Sequence, residues 1–262
     1  MMSYKIGKRQ SYIAYMIKDS GKLIVCSLFL FCFLFILYTV SNCNGIYYYG
    51  HRYCLADAYV WFLKPRAYGI LIAPLVLILF INFTKYDQMP SLLIRLGTIA
   101  SLVKRKVTVA IVFSLVVTIT ALVIITLITS LQVTTIINWD REHSVYYAMT
   151  HRTNENVRIG HVILMAFITI LIRNIFLCLC SILISLKFNN NIFTFILITS
   201  VTICEALQKY VPLFYNFISI DYIFWKKKEL IFLYASYCIA MFFVMSTTII
   251  RCSKKREWLN EE

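Results

Sequence analysis

His51 and Cys54 stand three residues apart and have the residue types of a thiol-protease dyad, in which an imidazole takes the thiol proton and the thiolate attacks an acyl carbon. No third group is placed to orient that imidazole, and the pair falls in a loop crowded with aromatics. Cys54 has a second candidate partner in Cys43. A disulfide between them would close the loop on an oxidising side of a membrane, and two separate thiols are the other option. The four His show no metal-ligand spacing, and GxxxxGK[ST], HExxH and CxxC patterns are missing. No catalytic residue and no metal site is assigned, and no cofactor is expected on this chain.

The elements that would position such groups are set by composition. The chain has 262 residues, 60% hydrophobic and only 15% charged, with a mean hydropathy of +0.75. That is far more apolar than a soluble domain, and it excludes a water-soluble enzyme. A net charge of +14 would suggest nucleic acid in a soluble protein. Here most basic residues flank apolar runs, so anionic lipid headgroups are the expected partner and nucleic acid is not. Six of the nine Cys lie inside those runs, where they act as small hydrophobes.

The fold expected is an all-α membrane protein forming a single transmembrane domain over 1–262. Six spans are expected, at about 23–42, 67–84, 107–132, 165–187, 191–209 and 230–250. A hydrocarbon core of ~30 Å takes about 20 residues at ~1.5 Å each, and 67–84 is near the lower limit. Basic residues ahead of the first span are also compatible with a signal peptide, but no small-residue cleavage pattern follows Val40, so a permanent helix is preferred. The positive-inside bias puts both termini in the cytoplasm of a multi-pass cell-membrane protein, with Lys226, Lys227 and Lys228 as the contrary evidence.

Between the spans, 4–22 places Tyr12, Ile13, Met16 and Ile17 at helical spacing, with Lys8, Arg9, Lys18 and Lys22 on the other positions. This reads as an interfacial helix or as a plain basic flank. Leu92, Leu96, Ile99 and Val103 recur at helical steps after Pro90 and Ser91, and Lys104, Arg105 and Lys106 close the segment. A short amphipathic cytoplasmic helix is expected there, either for docking or as a connector lying on the membrane. The loop over 41–66 is rich in Tyr and Trp, as in an interfacial belt. The loop over 133–160 is the most polar stretch and is expected to be solvated. The stretch 210–228 is too apolar for a free loop, and is expected as re-entrant helices or as an interfacial aromatic hairpin.

Arg173 lies 14 residues before Lys187 and Glu205 lies 14 after Asn191, about 21 Å along a helix in each case. With a tight turn over 187–191 the fourth and fifth spans are antiparallel neighbours and the two charges reach the same depth. An unpaired ion there would cost several kcal/mol, so pairing or snorkelling to the outer interface is required. A structural ion pair in the outer third is expected, with a role along a substrate path as the alternative.

The order of these elements, with LLIRLGTIASLVKRK at Leu92 to Lys106, resembles an ABC-2 type permease, the membrane subunit of Gram-positive exporters of peptides such as lantibiotics and bacteriocins. The resemblance implies a non-catalytic subunit paired with a second permease chain, identical or related. Separate ABC ATPase subunits would bind ATP and Mg and hydrolyse the nucleotide. Leu92, Leu96 and Ile99 would dock in the ATPase groove, and Arg95 would meet its acidic rim. The alternatives are a secondary transporter or channel-like protein without an ATPase and, behind it, a membrane peptidase using His51 or Cys54.

Overall fold

The computed structural model describes residues 25–26, 28–40, 47–48, 50–84, 99–188, 190–207, 222 and 230–258. The expected interfacial helix over 4–22, the coupling residues Leu92, Arg95 and Leu96, Cys43, and nearly all of 210–228 lie outside them. In chain order the described elements are α1 (Leu28–Val40), β1 (Tyr47–Tyr48), β2 (His51–Arg52), α2 (Leu55–Phe62), α3 (Pro65–Thr84), α4 (Ile99–Gln132), α5 (Val145–Thr150), α6 (Ile159–Phe188), α7 (Asn191–Leu207) and α8 (Leu230–Trp258).

The chain is mostly helical, and among the described residues four helices are long and apolar enough to cross a membrane: Pro65–Thr84, Ser101–Gln132, Ile159–Phe188 and Tyr234–Cys252. Of the six expected spans, the first and fifth are the shorter apolar helices α1 and α7. The third lies within α4, a helix that already begins at Ile99. No Gly or Pro interrupts Ile99 to Gln132, so the helix runs through Lys104, Arg105 and Lys106 without a break, where the sequence pattern suggests a separate helix ending.

The turn between α6 and α7 is as tight as expected. Asn190 caps α7, its Oδ1 accepting the N–H groups of Ile192 and Phe193, both at 3.0 Å. Central to the bundle is α6, which touches α2, α3, α4, α7 and α8. Its inward face carries Val162, Ala166, Ile170, Leu177 and Ile182, all buried.

Within α3, residues Tyr68–Ile72 form one π turn. Pro74 explains its position: the ring has no N–H to give the Ile70 carbonyl, and would clash with that carbonyl in a regular α-helix. Widening the preceding turn relieves the clash.

The largest departure from expectation lies at one end of the bundle. Residues 133–158, expected as a solvated loop, keep Asp140 to His143, His151, Arg152 and Glu155 exposed, but also fold against the segment after β2 with Asn138, Trp139, Ser144, Val145 and Tyr146 buried. The aromatic loop expected as an interfacial belt supplies the other half, in which Tyr59, Val60 and Phe62 of α2 are buried. Phe62 meets Phe35 of α1 with ring centroids 4.5 Å apart. Polar residues in 133–158 mask a minority of aromatic and β-branched anchors, and these anchors decide the packing.

Candidate functional site: a buried carboxyl and a polar chain among the helices

The folded cap is organised by Asp57, which is fully buried. It stands at the third position of α2, and its Oδ2 accepts the Cys54 N–H at 2.9 Å, half of a capping arrangement. Its Oδ1 accepts the indole N–H of Trp139 at 2.9 Å and the phenol of Tyr222 at 3.0 Å. Three separate stretches of chain therefore converge on one carboxyl. Trp139 stacks on Tyr146 with centroids 4.8 Å apart, and Tyr222 meets both rings edge-on at 5.9 Å.

The backbone knits the same stretches together. Leu55 and Ala56, the first residues of α2, donate their N–H groups to the carbonyls of Thr135 and Ile136, each at 3.1 Å, which satisfies donors that a helix start leaves open. The Arg52 N–H reaches the His143 carbonyl at 2.6 Å, and the Asn138 amide donates to the Arg52 carbonyl at 3.0 Å. Ser144 caps α5, and His151 ends it in the left-handed region at φ 53°.

Burial pushes the Asp57 carboxyl above the usual range, outweighing the donors that favour its charged form. Burial, with the charge of Asp57 alongside, also pushes the Cys54 thiol well up. Cys54 is thus a free and fully buried thiol whose surroundings disfavour the thiolate, the opposite of what a nucleophile needs. His51 lies on β2, in the hairpin that precedes it.

Deeper in the bundle a second polar set joins three helices. The Tyr68 phenol of α3 donates to Asn174 Oδ1 of α6 in a short hydrogen bond. The Asn174 amide donates to Thr118 Oγ1 of α4 at 3.1 Å, and Thr118 in turn donates to the Ser114 carbonyl at 2.7 Å. Tyr68, Asn174 and Thr118 are all completely buried. On α7, the Thr202 hydroxyl lies 3.4 Å from the carbonyl of Gly69 inside the π turn.

Arg173 sits beside Asn174 and is buried. Its Nη1 donates to the Leu63 carbonyl at 2.8 Å, and its guanidinium lies 5.2 Å from the Tyr68 ring centroid. Leu63 is the C-terminal cap of α2, so a cation meets the negative end of that helix. The two sets are linked through α2, with Asp57 near its start and Arg173 at its end. Glu205 is buried on α7, which packs against α6 and α3.

Sequence reasoning singled out Arg173, Glu205 and Cys54 and missed Asp57, Trp139, Tyr222, Tyr68, Asn174 and Thr118. One signal was available: Cys54-Leu-Ala-Asp57 has the spacing of a helix start with an acidic third residue. Nothing local marks the others. The chain matches no protein-family model, no curated protein and no solved structure.

Proposed function

We propose that the chain is the permease subunit of an ATP-driven exporter of the ABC-2 type, moving a peptide or another amphipathic compound. A partner ATPase would hydrolyse ATP, and a second permease chain would complete the pathway. Four long apolar helices fit a multi-pass protein, here placed in the cell membrane with both termini in the cytoplasm.

The observation that supports this reading is the overrun of α4. Its 34 residues measure about 51 Å, against a hydrocarbon core of ~30 Å. The cap marks one end of the helix, because Thr126 is hydrogen-bonded to Tyr59 of α2 at 2.6 Å. Lys104 stands 22 residues earlier, about 33 Å away along the helix. At the end opposite the cap, the basic run Lys104 to Lys106 follows Leu92, Arg95, Leu96 and Ile99 in sequence. Lys104 is exposed while Val103 and Lys106 are buried in the bundle, and the continuous helix is the proposed rigid lever for a cytoplasmic motor. Arg173 and Glu205 form the proposed ion pair that steadies α6 against α7, and exchanging the two charges would restore what either neutralisation loses.

Copurification tests the proposal. Mild-detergent extraction is expected to bring down a P-loop ATPase in stoichiometric amount, and Leu96→Asp or Arg95→Glu is expected to release it. A folded, ATPase-free wild-type preparation overturns the reading. One observation favours the second reading, a secondary transporter or channel-like protein: the buried chain Tyr68, Asn174 and Thr118 beside Arg173 places polar groups among the spans. Solute flux in ATPase-free proteoliposomes, abolished by Asn174→Leu, would support it.

A further inference from the structure

An apolar groove of about 320 Å³ opens between α1, α3 and α4. Its floor is Leu79 and Val117, which are 3% and 4% exposed, and its walls include Leu28 and Val112, which are 41% and 56% exposed. Phe83 and Phe113 close one side with their rings 6.3 Å apart. Among the described residues, Thr108 is the one polar residue in its lining.

One end of this groove is marked by charge. Thr108, part of the lining, donates its hydroxyl to the Lys104 carbonyl at 3.0 Å. Lys104 and Arg105 precede Thr108 and Val109 by four residues each, so they stand one turn beyond the groove on the same faces of α4. Lys104 is exposed and Arg105 partly so. The cap lies at the other end of α4.

We infer that this groove is a binding site for a single anionic phospholipid, with an acyl chain against Leu79 and Val117 and its phosphate at Lys104 and Arg105. A second protein helix would fit less well, because the walls are bulky aliphatic and aromatic groups rather than the small residues that let helices approach. A molecule with one anionic end and a long apolar remainder matches both halves of the site. The inference requires only that the helices lie in a bilayer and does not depend on the permease reading.

Native mass spectrometry of the delipidated full chain, offered dioleoyl phosphatidylglycerol or dioleoyl phosphatidylcholine, tests it with identical acyl chains. A single saturable adduct is expected, retained about tenfold more with phosphatidylglycerol, as two nearby cations warrant. Lys104→Gln with Arg105→Gln should bring the two lipids to parity. Arg141→Gln, an exposed cation at the cap end, should change nothing. Filling the groove by Val112→Trp should remove both adducts. Parity in the wild type, many equivalent adducts without saturation, or a preference that survives loss of both cations would overturn the site. The headgroup comparison decides the matter even if the tryptophan variant fails to fold.

Discussion

Asp57 shows how one side chain can hold together segments far apart in sequence. The carboxyl loses hydration when fully buried and regains it as three hydrogen bonds from Cys54, Trp139 and Tyr222. Asp57→Ala leaves those donors facing an apolar space, at roughly 1–3 kcal/mol for each unsatisfied group, partly offset because the carboxyl no longer has to be buried. A loss of about 2–4 kcal/mol in unfolding free energy in detergent is expected. The same residue confers pH dependence. Burial raises its folded value above the ordinary 3.8, so between the two values the folded cap holds a proton that the unfolded chain releases. Its contribution is therefore fully present below the ordinary value and is lost as pH rises through the folded one. Amide exchange in 133–150, corrected for intrinsic rates, should show greater protection at acidic pH than at alkaline pH. Asp57→Asn should flatten that slope, and a slope of opposite sign would refute the assignment.

At the scale of elements, the π turn of α3 and the polar chain behind it form one device. Pro74 forces the wide turn, the wide turn sets the facing of Tyr68, and Tyr68 reaches Asn174. Hydrogen bonds between spans contribute on average ~0.6 kcal/mol and at most ~1.7, so Tyr68→Phe should cost about that much. Pro74→Ala allows a regular helix and should weaken the same contact from the backbone side. The two changes are therefore expected to be non-additive, with the double variant about as stable as the more damaged single one. Simple additivity in a double-mutant cycle would show that the π turn and the phenol act separately. α4 is different in kind: its length follows from an uninterrupted run without Gly or Pro, and that much was legible in the residues from Ile99 onward. Lys104 to Lys106 read as a helix terminus, but the helix continues through them, with Lys104 exposed at its surface and Lys106 buried.

For the whole molecule, the cap gives the bundle two unlike ends. Residues 50–63, 133–158 and Tyr222 meet at one, and Lys104 and the turn at Asn190 belong to the other. Cysteines introduced at Lys104 and Asn190 should react with a membrane-impermeant maleimide from one side of the bilayer, and one at Glu155 from the opposite side, above the background of native thiols. Glu155 and Lys104 labelling from the same side would break the orientation on which the permease proposal rests. What the sequence alone determined is the solvent: a charge-poor, strongly apolar chain has to be mostly helix, since helices satisfy their own backbone hydrogen bonds in lipid and depend on nothing distant. It also disclosed the ionisable residues Arg173 and Glu205, which stand out because charge is rare in such runs. Only the tertiary structure decided their company. The Leu63 carbonyl beside Arg173 is 110 residues away, and Trp139 and Tyr222 are 82 and 165 residues from Asp57. Periodicity reports which face of a helix is apolar, but partners at such separations are chosen by packing, and no local pattern records that choice.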